Sequence, residues 1–177
     1  EVSPDFKKIM TRKDTIVSRL ISGVKYLLKK NKVRLVEGTA SIASQNIVHV
    51  KKVEGTEENI TANSMIIASG SEPEIPSNIS IDGERIITTN EALRLSTAPA
   101  SIAIIGGGII GVEFAEIFNT LGAEVSVLEM MSSILPSLDS DLGRDLHAIL
   151  KKRDVQVYTN AKVDSVLVEN DEKVRIK

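Results

Sequence analysis

Three glycines at positions 106, 108 and 111 have the spacing Gly-x-Gly-x-x-Gly, in the stretch IAIIGGGIIGVEFAEIF at residues 102–118. The first glycine permits a tight turn, the second lets a phosphate approach the backbone, and the third lets a helix pack closely on a strand. An apolar stretch at residues 102–105 precedes them and predicts a buried strand, and helical apolar spacing follows. This context predicts a β-α-β unit whose helix N-terminus binds the pyrophosphate of a dinucleotide.

An acidic residue at the end of the next predicted strand, residues 124–129, indicates which dinucleotide is preferred. Glu129 follows Gly111 by 18 residues. A carboxylate at this position accepts hydrogen bonds from ribose hydroxyls and repels a 2′-phosphate, so the sequence predicts NAD(H) rather than NADP(H). Met130 and Met131 follow, so no arginine is placed to bind such a phosphate. The alternative is a glycine-rich turn that binds no ligand.

Periodicity and turn residues predict the remaining elements. A helix is expected from an N-cap at Ser3, with Pro4 at its first position, to about residue 30. Further helices are expected at 112–121, closed by Gly122, and at 140–154, with a short one capped by Thr89 or Asn90. Strands are expected at 32–42, 46–53, 60–70, 155–160, 161–170 and 173–177, with loops at 54–59 and 69–78.

Composition and charge argue against several functions. The chain has 177 residues and no cysteine, so neither a disulfide nor a thiolate metal site can form within it. His49 and His147 are the only histidines, and both are expected to be structural or surface residues rather than metal ligands. No apolar run approaches the roughly 20 residues that span a bilayer. Residues 1–34 carry ten basic and three acidic side chains. These charges interleave with helical apolar spacing and lack stacking aromatics, so a solvated helix face is favoured over nucleic-acid binding.

A second motif lies upstream, where the apolar stretch MIIASG at residues 65–70 is followed by Pro73 and Pro76. Combined with the glycine motif, it resembles the ATG motif of flavoproteins that contain two dinucleotide-binding domains. In order along the chain, RLISGVKYLLKKNKVRLVEGTASI, IIASGSEP, GGGIIGVEFAEIF, LGAEVSVLE and ILPSLDSDLGRDLHAILKK resemble the middle of the dihydrolipoamide dehydrogenases. These enzymes form a branch of the pyridine nucleotide-disulfide oxidoreductase family. The resemblance covers essentially the whole sequence.

The resemblance implies an FAD/NAD(P)-binding Rossmann-like α/β fold with three layers. It implies that residues 1–96 are a partial FAD-binding domain and that residues 97–177 are an NAD-binding domain truncated at its C-terminus. By position, the resemblance implies contacts to the NAD pyrophosphate from Gly106, Gly107, Gly108, Ile109, Ile110 and Gly111. It implies that Glu129 binds the ribose of NAD, that Val163 covers its adenine and that Glu113 faces its nicotinamide. It also implies contacts to FAD from Ala40, Ser69 and Gly70, and it implies no metal ligand.

In this family, electrons pass from dihydrolipoamide to an active-site disulfide, through FAD, to NAD+. The resemblance implies lipoyl domains of 2-oxo acid dehydrogenase or glycine cleavage complexes as partners, a homodimer, and a location in the bacterial cytoplasm or the mitochondrial matrix. The redox cysteines and the His-Glu acid-base pair of the family are absent from these residues. We therefore expect a central fragment that contains no catalytic residue, is inactive alone, is not expected to hold FAD, and self-associates through uncovered apolar surface.

Three alternatives remain open from the sequence. Another member of the family, such as an NADH oxidase or a mercuric reductase, shares the glycine motif. A stand-alone NAD-binding module would use the same motif without catalysis. A nucleic-acid-binding protein would use the basic N-terminal helix, and steeply salt-dependent binding would identify it.

Overall fold

A computed structural model of the chain describes residues 3–170 and 173–177. In chain order, the elements are α1 (Phe6–Lys30), β1 (Gly38–Ser44), β2 (Ile47–Lys52), β3 (Glu57–Thr61), α2 (Thr89–Ala92), β4 (Ser101–Ile105), α3 (Ile109–Thr120), β5 (Glu124–Leu128), α4 (Ser140–Lys152), β6 (Gln156–Tyr158), β7 (Val166–Asn170) and β8 (Lys173–Ile176). The chain divides into two compact units. One comprises Arg12–Glu72, and the other comprises Pro73–Lys177 with the N-terminal residues through Thr11.

The larger unit contains a parallel sheet in the order β4-β5-β6. Ile104 lies opposite Val127, which lies opposite Val157, so the three strands are in matched register. Strands β4 and β5 are parallel and therefore need a crossover, which α3 supplies. This arrangement confirms the predicted Rossmann-like α/β fold class.

The hydrophobic core of this unit lies between the sheet and its helices. Val125 and Val127 of β5 are almost completely buried, as are Phe118 of α3 and Leu150 of α4. Burying such side chains contributes about 1.5–3 kcal/mol each, so these contacts fix the position of α3 on the sheet. The glycine turn at the start of α3 is positioned by this core.

The smaller unit contains an antiparallel meander in the order β1-β2-β3. Strand β2 matches its prediction closely, and its Val50 is buried. Strand β1 begins at Gly38, six residues later than the sequence predicts, because its pairing with β2 extends only from Gly38 opposite Lys52.

The prediction of a buried strand over residues 60–70 is wrong. Strand β3 ends at Thr61, and residues 64–70 have no regular structure. Ile66 and Ile67 are 93% and 75% exposed. An apolar run forms a strand only where a neighbouring strand supplies hydrogen bonds, and none pairs with it within residues 3–170 and 173–177.

Several predicted helix ends are shifted by capping interactions. Asp5, rather than Ser3, caps α1, because its carboxylate accepts a 3.1 Å hydrogen bond from the N–H of Lys8. Thr88, rather than Thr89 or Asn90, caps α2 in a reciprocal pair with Glu91. Helix α3 begins at Ile109, three residues earlier than predicted, because Gly108 already has the extended backbone of an N-cap.

Two elements near the C-terminus are shorter than predicted. Helix α4 ends at Lys152, after which Asp154 has a positive φ of 62° that a right-handed helix does not allow. Strand β7 begins at Val166, because its pairing with β8 starts at Val166 opposite Ile176. Residues 161–165 are therefore a connection rather than the start of a strand.

Candidate functional site: the glycine turn at the N-terminus of α3

The turn between β4 and α3 has the geometry that the glycine spacing predicts. Gly106 has a φ of +106°, a conformation that side chains rarely allow. Its N–H donates a 2.8 Å hydrogen bond to the carbonyl oxygen of Leu128, which continues the pairing of β4 with β5. The chain therefore reverses direction immediately at the end of the strand.

Gly111 lies where the first turn of α3 meets this reversal. A Cβ at Gly111 would lie 2.0 Å from the carbonyl oxygen of Gly106. One helical turn later, Ala115 is completely buried. Only a residue without a side chain fits at position 111, and a small one at 115 maintains the close approach of helix and sheet.

The N-terminus of α3 provides backbone donors next to open space. Gly108 is the N-cap, and a glycine has no side chain that could accept a hydrogen bond from the first N–H groups of the helix. The first N–H groups of any helix have no acceptor within the helix, and the helix dipole adds positive potential there. A Cβ added at Gly108 would meet no atom of the described residues within 4 Å. The residues present therefore fit an anionic group such as a pyrophosphate.

Glu129 connects the second strand to the glycine turn. Its Oε2 accepts a 2.7 Å hydrogen bond from the N–H of Gly107, and its Oε1 accepts one of 2.7 Å from the N–H of Met131. The residue is only 6% exposed. A buried carboxylate needs such donors, so its position at the turn is well defined.

The loop after β5 also contacts the glycine turn through Ile134 and Leu135, and the sequence had not predicted this contact. The N–H of Leu135 donates a 2.8 Å hydrogen bond to the carbonyl oxygen of Gly107. Ile134 is completely buried, and a Cβ on Gly107 would lie 2.7 Å from its Cγ2. A Cβ on Gly143 would lie 2.5 Å from the carbonyl oxygen of Ile134. A glycine inside the amphipathic pattern of α4 was the available indication of this close approach.

The other residues assigned to NAD lie around this turn. Ile109 and Ile110 open α3 and are about half exposed. Glu113 lies in α3 and is exposed. Val163 is half-buried and follows Ala161, whose N–H donates a 2.9 Å hydrogen bond to the carbonyl oxygen of Glu129. The structure therefore brings the segment containing Val163 to the strand end that carries Glu129.

The residues assigned to FAD lie in the smaller unit. Ala40 is in β1 opposite Val50. Ser69 and Gly70 lie in the irregular segment after β3, where Gly70 has a φ of +82°. All three assigned residues are exposed. Their assignment to FAD remains a prediction.

The histidines and acidic residues of the described part of the chain are candidate metal ligands, because these side chains commonly bind metals. Within residues 3–170 and 173–177, no group of three His, Asp or Glu side chains could hold a metal ion. The Nδ1 of His49 lies 2.9 Å from Oδ1 of Asn59 on the neighbouring strand, so His49 bridges β2 and β3.

None of the helices in this described part is long and apolar enough to cross a membrane.

The parallel sheet and the glycine turn are those of the dinucleotide-binding class of α/β folds. Residues 2–177 match the family described as pyridine nucleotide-disulphide oxidoreductase. The chain belongs to this family, and the family resemblance inferred from the sequence is confirmed.

Three curated relatives are dihydrolipoyl dehydrogenases. One from Bacillus subtilis is 39% identical over 166 residues, covering 93% of this chain and 36% of the relative. One from Acholeplasma laidlawii is 39% identical over 173 residues, covering 94% of this chain and 49% of the relative. A mitochondrial one from Schizosaccharomyces pombe is 36% identical, covering 96% and 34% respectively. The chain thus spans about a third to a half of the length of these relatives.

Solved structures agree with this assignment. The Cu(II) complex of RclA, an HOCl-induced flavoprotein disulfide reductase from Escherichia coli, superposes with a TM-score of 0.82 at 27% identity, covering 98% of this chain and 39% of RclA. LpdA from Mycobacterium tuberculosis superposes with a TM-score of 0.85 at 23% identity, covering 99% and 39% respectively, which supports the fold alone. The chain therefore has the fold found in flavoprotein disulfide reductases.

Proposed function

We propose that the glycine turn of this chain binds NAD(H) within a dihydrolipoamide dehydrogenase. The observation that carries the proposal is the hydrogen bond between the buried carboxylate of Glu129 and the N–H of Gly107. It places a negative charge beside the turn and leaves the donors at the N-terminus of α3 for phosphates. A site with an anion-binding helix end next to a carboxylate suits a pyrophosphate linked to a ribose.

The carboxylate of Glu129 can still accept hydrogen bonds from a ligand. Each carboxylate oxygen has two lone pairs, and each accepts one backbone hydrogen bond in the structure. The remaining lone pairs suit ribose hydroxyls, whereas a 2′-phosphate would meet a buried negative charge. This difference favours NADH over NADPH.

The other predicted contacts extend this proposal to the two ends of NAD. Val163 covers the adenine, since its segment is hydrogen-bonded to the end of β5. Glu113 faces the nicotinamide ring, which is the part of NAD+ that accepts a hydride. Gly106 and Gly107 shape the turn, because their N–H groups already donate to Leu128 and Glu129. The backbone donors of Gly108, Ile109, Ile110 and Gly111 bind the pyrophosphate.

The proposal for the whole protein is oxidation of dihydrolipoamide with transfer of electrons through FAD to NAD+. The 177 residues contain no cysteine, so they cannot supply the redox disulfide of that reaction. In this proposal they hold the dinucleotides, with Ala40, Ser69 and Gly70 contacting FAD. The domain assignment, residues 1–96 for FAD and 97–177 for NAD, belongs to the same proposal.

The proposed partners follow from the same relatives. Dihydrolipoamide carried on lipoyl domains of 2-oxo acid dehydrogenase or glycine cleavage complexes would be the substrate, and the protein would be a homodimer. We place it in the bacterial cytoplasm or the mitochondrial matrix. A second candidate is another disulfide reductase, which the superposition on RclA at 27% identity favours.

Calorimetric titration with NADH and NADPH tests the nucleotide site. We expect the purified chain to bind NADH at least tenfold more tightly than NADPH. Glu129→Gln should reduce this ratio at least fivefold, because an uncharged amide no longer repels the 2′-phosphate. Glu124→Gln, at the exposed start of β5, is the control and should leave the ratio unchanged. Preference for NADPH, or binding of neither nucleotide, would refute the proposal.

A further inference from the structure

The side chain of Asn78 connects two segments that are far apart in the sequence. Its Nδ2 donates hydrogen bonds of 3.0 Å to the carbonyl oxygen of Val163 and 2.9 Å to that of Asp164. An amide nitrogen has two N–H donors, which matches the two carbonyl acceptors within hydrogen-bond distance. Both carbonyls belong to the connection between β6 and β7.

The same connection is attached to the end of β5 on its other side. The N–H of Asn160 donates a 2.8 Å hydrogen bond to Met131, and that of Ala161 donates one of 2.9 Å to Glu129. Residues 160–161 therefore have backbone hydrogen bonds to the strand end, whereas the carbonyls of Val163 and Asp164 bond to the side chain of Asn78. The N–H of Asp164 also donates a 2.7 Å hydrogen bond to the carbonyl oxygen of Lys177. Asn78 provides the hydrogen bond to Val163 itself, so it contributes to the position of Val163 relative to Glu129.

The loop that carries Asn78 has its own internal support. Ile79 is buried, and its N–H donates a 3.0 Å hydrogen bond to the carbonyl oxygen of Pro76. Further along, Oδ1 of Asp82 accepts hydrogen bonds of 2.8 Å from the N–H groups of Glu84, Arg85 and Ile86. Asn78 is therefore presented by an ordered loop, which allows it to hold another segment in place.

We propose that Asn78 is a positioning residue for the adenosine end of the nucleotide site. This inference rests on the proposed function, in which Val163 covers the adenine. By holding the carbonyls of residues 163 and 164, Asn78 sets the gap between Val163 and Glu129 into which an adenosine fits. Asn78 itself touches no ligand in this arrangement.

Substitution of Asn78 in the complete chain tests this role. Asn78→Asp keeps the shape of the side chain but replaces the donor with an oxygen facing two carbonyls, and Asn78→Ala removes the donor without repulsion. The matched control is Asn119→Asp, because Nδ2 of Asn119 also donates to one distant carbonyl, that of Arg153, at 3.0 Å. Asn119 is near the end of α3 opposite the glycine turn.

The probes are NADH, ADP and reduced nicotinamide mononucleotide, with thermal unfolding measured in parallel. We expect both Asn78 variants to weaken NADH and ADP binding about five- to tenfold, the effect of one or two hydrogen bonds, and to leave the mononucleotide unchanged. Asn119→Asp should lower the melting temperature comparably without changing any affinity.

The possible outcomes separate this inference from the proposed function. If wild-type protein binds NADH but the Asn78 variants match Asn119→Asp in all affinities, the inference is overturned and the NAD site stands. Equal losses for ADP and the mononucleotide would show a general structural effect and also overturn it. Failure of the wild type to bind NADH and ADP would overturn the proposed function and the inference together.

Discussion

The carboxylate of Glu129 and the N–H of Gly107 form a 2.7 Å hydrogen bond between residues 22 positions apart in the chain. The bond connects the end of β5 to the turn that follows β4. It fixes a negative charge beside the N-terminus of α3 while leaving the open space around Gly108 free. The geometry of one residue pair thus supports both the fold and the proposed choice of nucleotide.

Two glycine substitutions in the turn should have opposite effects on folding and binding. Gly111→Ala should destabilise the chain by about 2–3 kcal/mol, because the new Cβ would lie 2.0 Å from Gly106 O. Gly108→Ala should fold normally, since its Cβ meets no atom of the described residues within 4 Å. It should weaken NADH binding at least tenfold, because the new methyl group occupies the space proposed for the phosphates. Urea unfolding and calorimetry measure the two effects. A stable Gly111→Ala variant would contradict the structure.

Glu129→Gln should also lower stability. An amide presents only one acceptor oxygen, so one of the two N–H groups now bound, those of Gly107 and Met131, loses its partner. An unsatisfied buried donor costs about 1–3 kcal/mol. Urea unfolding measures this loss, and Glu124→Gln should change stability by less than about 0.5 kcal/mol. Equal stability of the two variants would show that the hydrogen bonds of Glu129 contribute little.

Thr88→Ala should destabilise the larger unit by about 1 kcal/mol, because it removes the N-cap of α2. The Oγ1 of Thr88 accepts a 3.2 Å hydrogen bond from the N–H of Asn90. The backbone N–H of Thr88 donates a 2.8 Å hydrogen bond to the carboxylate of Glu91. Ala92 packs against the core, so loss of the cap is transmitted to it. Thr89→Ala is the control for the alternative cap that the sequence suggested. A larger loss of stability for Thr89→Ala than for Thr88→Ala would show that Thr88 is not the cap.

Acid should weaken the loop that carries Asn78. Hydrogen bonds from the N–H groups of Glu84, Ile86 and Arg85 hold the pKa of Asp82 below its usual range. A carboxylate with a lowered folded-state pKa stabilises above its unfolded pKa, and this contribution is lost as pH falls through the folded value. Stability should therefore decrease below roughly pH 4.

Asp82→Asn separates this titration from the other carboxyl groups. The amide oxygen still accepts hydrogen bonds but does not titrate, so the urea midpoint of the variant should fall less between pH 5 and about pH 3 than that of the wild type. An identical pH dependence in the two proteins would exclude a contribution from Asp82.

The apolar stripe of α1 should promote self-association. Helix α1 contains no buried residue, and Leu20, Val24 and Leu27 are 64%, 57% and 54% exposed. Exposed apolar patches of this kind associate in water. Light scattering should detect dimers or larger species, and Leu20→Glu should shift them toward monomer. Lys29→Gln is the control, because it changes the net charge by the same amount as Leu20→Glu but leaves the apolar stripe intact. It should therefore not change the self-association. A monomeric wild type at high concentration would contradict this prediction.

Local sequence determined much of the glycine turn. The requirement for glycine at 106 and 111 follows from spacing alone, because a turn with positive φ and a close helix approach have few solutions. The capping pair of Thr88 with Glu91 was also available as the pattern Thr-x-x-Glu, although the cap was predicted one or two residues later, at Thr89 or Asn90. Residues 64–70 could not be predicted locally, since strand formation depends on a partner strand.

Sequence by itself determined the β-α-β unit, the position of Glu129 at the end of its second strand and the family of the chain. Only the tertiary structure decided which groups Glu129 binds, that Ile134 lies between Gly107 and Gly143, and that Asn78 holds the connection at Val163. Spacing within one turn or helix is set by backbone geometry and is visible locally. Contacts across 85 residues, such as that of Asn78 with Val163, depend on how packed elements bring their loops together.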